Sequence, residues 1–122
     1  MIDHTGVPIT DIERAIAFYT KALAPLGYTV MMRFGAIVGL GENKPDFWLA
    51  GEMQATEKIH VAFRAARRSQ VEEFYKAAIA AGGTDNGAPG IREMYHPDYY
   101  AAFVRCPDGH NVEVVCHEPY LG

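Results

Sequence analysis

The chain contains an internal repeat of a strand followed by a helix. The segment HTGVPITDIERAIAFYTKALAPLG, residues 4–27, aligns without gaps with HVAFRAARRSQVEEFYKAAIAAGG, residues 60–83. The first histidine, a central Phe-Tyr pair and the last glycine recur at one constant spacing. Identity between the copies is low, but residues recur in register and both copies predict the same elements. We therefore interpret the chain as a duplication.

Each copy predicts the element order βαβββ. The three runs after the first helix are YTVMMRF, AIVGLG and DFWLAG, and those after the second are IREMYH, YYAAFVRC and NVEVVCH. They are short, rich in apolar residues and separated by turn residues, as β-strands are. Neither half has a convincing core of its own. We therefore expect an α+β fold in one domain, 1–122, with module one at about 1–55 and module two at about 56–122.

The helix boundaries are predicted from capping signals. Thr10 with Glu13, and Ser69 with Glu72, have the spacing of capping boxes at the starts of the two helices. Pro25 with Gly27, and the Gly82-Gly83 pair, are expected to end them.

Composition excludes several classes of protein. The formal net charge of −4 gives no basic surface for nucleic acid. No apolar run approaches the roughly 20 residues that cross a bilayer, and the N-terminal residues have no apolar leader. Cys106 and Cys116 flank a turn without facing each other in the expected hairpin, so they are predicted to be unpaired. Unpaired thiols suit a reducing compartment, and a cytoplasmic location is expected.

Strand alternation places three potential metal ligands away from the helices. In KIHVAF the bulky apolar residues share one face and leave His60 on the other. His4 holds the equivalent position in the first copy, and Glu113 points away from Val112 and Val114. Two imidazoles and a carboxylate form the two-histidine-one-carboxylate set that binds divalent metals. The alternatives are hydrogen-bonded strand histidines and a glutamate at a solvated edge.

These motifs resemble a known superfamily. The paired βαβββ modules with DHTGVPITD, HVAF and PDGHNVEVV resemble the vicinal oxygen chelate superfamily. It includes glyoxalase I, extradiol dioxygenases, fosfomycin-resistance transferases, methylmalonyl-CoA epimerase and bleomycin-binding proteins. The resemblance implies that the modules bend into a half-open barrel around a divalent ion (Fe, Mn, Ni or Zn). By motif, His4, His60 and Glu113 match the family's ligand positions.

The resemblance also implies a fourth ligand position, on the last strand of module one. Aligning PDFWLAG with HNVEVVC places Trp48 there, opposite Glu113. Tryptophan does not bind metals, and glyoxalase I has a carboxylate or amide at this position. The departure argues against a true glyoxalase I and favours a three-ligand site with Trp48 as an apolar wall for the substrate.

The segment DNGAPGIREMYHPDYY, residues 85–100, contains the remaining candidates for the site. His96, Tyr95 and Tyr100 are candidate catalytic acids or bases, and Tyr99 and Arg92 are candidate substrate-binding residues. An aromatic rim that closes the core and a solvated arginine are the alternatives. His110 and His117 are left out of the metal set.

We therefore expect a metal-dependent small-molecule enzyme of the lyase, isomerase or dioxygenase type. Its substrate would be chelated through adjacent oxygens. The alternative is a metal-free small-molecule binding protein of the bleomycin-resistance type. A homodimer is expected, because a small cupped sheet exposes strand edges and family members commonly dimerise.

Overall fold

The computed structural model describes residues 2–54 and 57–119, which contain two α-helices and nine strands. The predicted module boundary, at residues 55–56, lies outside the described residues. Module one contains β1 (Thr5–Pro8), α1 (Ile12–Ala22), β2 (Thr29–Phe34), β3 (Ile37–Gly41) and β4 (Phe47–Ala50). Module two contains β5 (His60–Arg64), α2 (Arg68–Ala80), β6 (Thr84–Asp85), β7 (Gly90–Ile91), β8 (Tyr100–Arg105) and β9 (Asn111–Cys116).

The two modules have the same sheet topology. The strand orders are β1-β4-β3-β2 and β5-β9-β8-β6, and β7 also pairs with β8. In each module the first strand is parallel to the last, while the other pairs are antiparallel. The α+β class and the repeated βαβββ order are therefore confirmed. Over the described residues no strand pair joins the two sheets, so they do not close into a barrel.

Module two differs from its prediction between α2 and β8. The expected strand over residues 91–96 contributes only Ile91 to β7. The chain then turns, because the N–H of Tyr95 donates back to the carbonyl of Arg92 at 3.0 Å. The outermost strand is consequently split into β6 and β7. Residues 92–99 belong to no strand and connect β7 to β8.

The modules pack through their helix-bearing faces. Phe63 of β5 contacts Phe47 of β4 and Tyr28, with ring centroids 5.0 and 5.5 Å apart. The helices α1 and α2 contact each other, and one hydrophobic core includes both helices and the inner faces of both sheets. The two opposite sheet faces, called the outer faces below, therefore point away from the shared core.

The first helix begins differently from its prediction. Asp11 caps α1, since its carboxylate accepts the N–H of Arg14 at 3.2 Å. The predicted Thr10–Glu13 capping box is wrong. Thr10 instead donates both its backbone N–H and its hydroxyl to Asp108 of module two. A long-range acceptor thus replaces the local one.

The second capping box is also wrong. The helix α2 begins at Arg68, and the side-chain oxygen of Gln70 accepts the backbone N–H groups of Ala66 and Arg67, both at 3.0 Å. Ser69 therefore lies inside the first turn. Glu72 accepts a hydrogen bond from Tyr100 at 2.7 Å instead of returning to the helix start.

The turn between β8 and β9 docks on module one. The Thr10–Asp108 bonds are one part of this contact. Within module two, Nδ1 of the buried His110 accepts the N–H of Ile59 at 3.1 Å. Its Nε2 therefore carries the proton and donates to the carbonyl of Pro8 at 2.8 Å. We call Pro8, Thr10, Asp108 and His110 the inter-module clasp. It joins the end of β1 to the β8–β9 turn.

Two further expectations can be compared with the structure. Cys106 and Cys116 are free and buried. None of the helices in the described ranges has the length and hydropathy needed to cross a bilayer.

Breaking the clasp is expected to destabilise the fold. Asp108→Ala leaves two Thr10 donors without their acceptor, which should lower the free energy of unfolding by about 1–3 kcal/mol. Thr10→Val should lower it less, and Thr10→Ser should be near wild type because it retains the hydroxyl. Urea denaturation measures these differences. Glu73→Ala, on the exposed face of α2, is the control. Unfolding of Asp108→Ala within about 0.5 kcal/mol of the control would contradict this role.

Candidate functional site

A buried carboxylate lies at the centre of the outer face of module two. Glu113 pairs in register with Ala62 of β5 and Phe103 of β8, and it is 2% exposed. Its neighbours Val112 and Val114 point into the core, so Glu113 faces the other way. The alternative of a solvated strand edge is therefore wrong. A buried carboxylate requires hydrogen-bonding partners.

Both carboxylate oxygens of Glu113 have a partner. Nε2 of His60 lies 2.8 Å from Oε1, and the hydroxyl of Tyr99 donates to Oε2. Burial, followed by the hydrogen bond to Glu113, raises the pKa of Tyr99 above that of an ordinary phenol. Tyr99 is consequently a proton donor to Glu113 at neutral pH. The side chain of His60 remains 54% exposed, which leaves the ring open to a ligand.

A pair of histidines packs beside Tyr99. Its ring lies 5.4 Å from His96 and 5.3 Å from His117. Nδ1 of His96 accepts the N–H of Asp98 at 3.1 Å, so the proton of a neutral His96 ring is on Nε2 and points to Nδ1 of His117 at 2.8 Å. His117 is outside the expected metal set, although it shares the strand parity of Glu113: continuing the alternation of β9 places residue 117 on the face of Glu113.

The other two tyrosines are placed differently. Tyr95 packs on Tyr99 at 4.8 Å and is exposed. Tyr100 pairs in register with Cys116, which lies in the core, so it faces away from Glu113. Its hydroxyl donates to Glu72, and burial together with that bond raises its pKa to about 12. The structure therefore places Tyr95 and Tyr99 at the site but not Tyr100.

Arg92 is brought to the same face by the turn after β7. Its guanidinium carbon lies 5.3 Å from the centre of the Phe103 ring. The same ring lies 6.3 Å from that of His60. Arg92 and His60 therefore both lie beside Phe103, which pairs in register with Glu113.

Trp48 occupies the position in module one that Glu113 occupies in module two. Gly6 pairs with Trp48 in parallel register, as Ala62 pairs with Glu113. The spacing between Gly6 and Ala62 equals that between the two strand histidines. The indole is on the outer face, since Phe47 and Leu49 lie in the core. The side expected for Trp48 is therefore the one observed.

A cleft of about 540 Å³ lies against this face and is lined by His4, Lys44, Pro45 and Trp48 among others. Nδ1 of His4 lies 2.8 Å from a carboxylate oxygen of Asp3, which also pairs with Lys44. The bond from Lys44, followed by that from His4, lowers the pKa of Asp3 to about 2. A carboxylate on Nδ1 leaves Nε2 of His4 available, as in many histidine metal ligands.

The three predicted metal ligands lie in two different modules. His60 and Glu113 are together on module two, whereas His4 precedes β1 of module one. In the part of the chain described, no three His, Cys, Asp or Glu side chains gather closely enough to hold a metal ion. The 2.8 Å between Nε2 of His60 and Oε1 of Glu113 is a hydrogen-bond distance, and a small separation to about 3.0–3.4 Å would let both atoms bind one metal at about 2.1 Å. One chain thus presents two potential metal ligands side by side but no third beside them in its described part.

Comparison with known proteins shows the same family. The model of the Glyoxalase/Bleomycin resistance protein/Dioxygenase superfamily matches residues 1–114. No curated protein matches the chain. Many solved structures do, including a glyoxalase/bleomycin resistance protein from Albidiferax ferrireducens T118, with 26% identity, a TM-score of 0.78 and coverage of 96% of this chain and 98% of that one.

Two further structures share the fold at lower identity. A putative glyoxalase from Bacillus halodurans is 24% identical, with a TM-score of 0.71 and coverage of 95% of both chains. A lactoylglutathione lyase from Agrobacterium tumefaciens is 19% identical, with a TM-score of 0.72 and coverage of 95% of this chain and 92% of that one. With the family model spanning nearly the whole sequence and two βαβββ modules in the structure, the chain belongs to the glyoxalase/bleomycin resistance protein/dioxygenase superfamily.

Proposed function

We propose that the protein is a metal-dependent small-molecule enzyme of the glyoxalase or dioxygenase type, with sites assembled between two copies of the chain. The observation that carries this proposal is the buried Glu113 carboxylate beside the half-exposed ring of His60. These two donors lie close to the spacing of adjacent metal ligands, and Tyr99 orients the carboxylate through its other oxygen.

The third ligand is the partner's His4. His60 and Glu113 of one copy and His4 of the other form the two-histidine-one-carboxylate set, suited to Fe, Mn, Ni or Zn. When bound, the ion would act as a Lewis acid toward two adjacent oxygens of the substrate.

The residues around the ligands bind the substrate and hold protons. Tyr99 keeps its phenolic proton and directs it at Oε2 of Glu113, which limits the carboxylate to one orientation. His96 donates from Nε2 to Nδ1 of His117, so a neutral His117 has its own proton on Nε2. This imidazole pair is positioned to supply or accept a proton during an isomerase or lyase reaction.

The outer face of module one supports the assembly of two copies. Large apolar side chains on β2 and β3 are 38–60% exposed there: Met31, Met32, Phe34 and Ile37. Phe34 also stacks on Trp48, with ring centroids 6.5 Å apart. A contiguous apolar surface of this kind is typical of an interaction site. In the proposed twofold homodimer this surface is covered, and His4 of each copy lies beside His60 and Glu113 of the other.

A metal-free binding protein is the second candidate function. Two observations favour it. Glu113 is already satisfied within the chain by His60 and Tyr99, and the cleft beside Trp48 offers an aromatic wall to a ligand. The metal measurement separates the two candidates.

The first prediction concerns metal binding. The protein should bind one Mn²⁺ or Zn²⁺ per chain, and Glu113→Gln should weaken binding by about a hundredfold or more because it removes the charged ligand. Tyr99→Phe should weaken it by about 10- to 100-fold, as loss of an orienting hydrogen bond does. Isothermal titration calorimetry measures both. Tyr95→Phe and Glu73→Gln are the matched controls, since neither group contacts Glu113. Wild-type protein that binds no divalent ion tighter than millimolar supports the metal-free candidate.

The second prediction concerns the shared site. His4→Ala and Glu113→Ala should each fail to bind metal alone. In a refolded equal mixture, half of the dimers contain both chains, and each of these has one complete site. The refolded mixture should therefore bind about a quarter of the metal that the wild type binds per chain. A mixture that binds no metal would mean that all ligands come from one chain. Metal binding by His4→Ala alone would mean that His4 is not a ligand. Sedimentation of the wild type should show a dimer, and a monomer at tens of micromolar would contradict the assembly.

The third prediction uses Trp48, the only tryptophan in the chain. Acetohydroxamate, a UV-transparent chelator with two adjacent oxygens, should change its emission in the metal-loaded protein but not in the apoprotein. Trp48→Glu should tighten metal binding by about tenfold or more, because it restores a carboxylate at the fourth position. If the chelator leaves Trp48 emission unchanged and Trp48→Glu has wild-type metal affinity, Trp48 does not lie beside the metal.

A further inference from the structure

Backbone carbonyls of the segment from Gly87 to Gly90 hold the side chain of Arg92 in place. Its Nη1 donates to the carbonyl of Gly90 at 2.8 Å and its Nη2 to that of Ala88 at 2.9 Å. A Cβ at Gly87 would lie 3.0 Å from Nη2, and one at Gly90 would lie 3.1 Å from Nη1. These glycines make room for the guanidinium, so the segment fixes the position of the charge.

This segment places the charge of Arg92 at the proposed site. The Phe103 ring has Arg92 at 5.3 Å and His60 at 6.3 Å.

No anion of the described part of the chain neutralises Arg92. Arg33 pairs with Glu13 at 3.1 Å and Arg64 with Glu118 at 3.6 Å, but no carboxylate among residues 2–54 and 57–119 lies within ion-pair distance of Arg92. Its two hydrogen bonds to neutral carbonyls leave other N–H groups unused. A half-buried, fixed guanidinium with unused donors is suited to bind a carboxylate or phosphate.

We propose that Arg92 binds an anionic group of the substrate and selects organic anions. This rests on the proposed function for the chelating half of the site. Because Arg92 and His60 both lie beside the Phe103 ring, 5.3 and 6.3 Å from its centre, the anionic group lies within a few bonds of the chelating oxygens. The substrate class is a small carboxylate that carries an adjacent pair of oxygens at its other end, with an apolar or aromatic spacer against Phe103.

Two probes that differ in one charge test the proposal. 3,4-Dihydroxybenzoate and 3,4-dihydroxybenzamide share the chelating oxygens and the ring, but only the first is an anion at neutral pH. Calorimetry of the Zn²⁺-loaded protein without oxygen should show about a tenfold or greater preference for the anion, as expected for a charge-assisted hydrogen bond. Arg92→Met should reduce the preference to about one, and Arg92→Lys should retain part of it.

Lys21→Met, which removes one positive charge from the exposed face of α1, is the control and should keep the full preference. Equal affinity of the wild type for both probes would overturn the proposal without any variant, as would a preference that survives Arg92→Met in protein with wild-type thermal stability. Failure of the wild type to bind Zn²⁺ would count against the proposed function alone. The same two probes are then compared in the apoprotein: an anion preference that depends on Arg92 supports the anion site, and equal affinities overturn it.

Discussion

The two helix-bearing sheet faces pack against each other, and this packing determines which surfaces of the molecule remain exposed. Phe63 meets Phe47 across the modules, and the inter-module clasp ties the β8–β9 turn to the end of β1. Burial of the apolar faces is the main favourable contribution to folding. With those faces used inside the chain, both outer faces are left for ligands or for another copy.

The buried polar groups on the outer face of module two are stable because they form hydrogen bonds with one another. A buried carboxylate without partners would cost several kcal/mol. Glu113 avoids that cost through His60 and Tyr99, and the proton of Tyr99 remains in place because burial and the carboxylate oppose its loss. The same bonds give the carboxylate a defined orientation. Stability of the face and preorganisation of the proposed site therefore have one cause.

The two modules have diverged in a way that suits different roles. Trp48 and Glu113 occupy equivalent register positions, so the duplicated framework presents an apolar ring on one sheet and a carboxylate on the other. Module two also splits its outermost strand into β6 and β7, and the turns around β7 bring Arg92 and Tyr99 to the face of Glu113. Irregular segments on a rigid sheet are where binding residues are commonly found.

The sequence by itself determined the repeat, the βαβββ order and the face on which His60, Trp48 and Glu113 lie. These follow from the two-residue period of a strand, which is a local property. Only the tertiary structure decided that Thr10 bonds to Asp108 instead of capping α1 and that Tyr100 turns to Glu72 while Tyr99 turns to Glu113. It also decided that, among the described residues, His4 does not join His60 and Glu113 in one cluster. Each of these depends on which distant elements meet. That is set by the burial of whole faces, and local spacing in the chain carries no record of it.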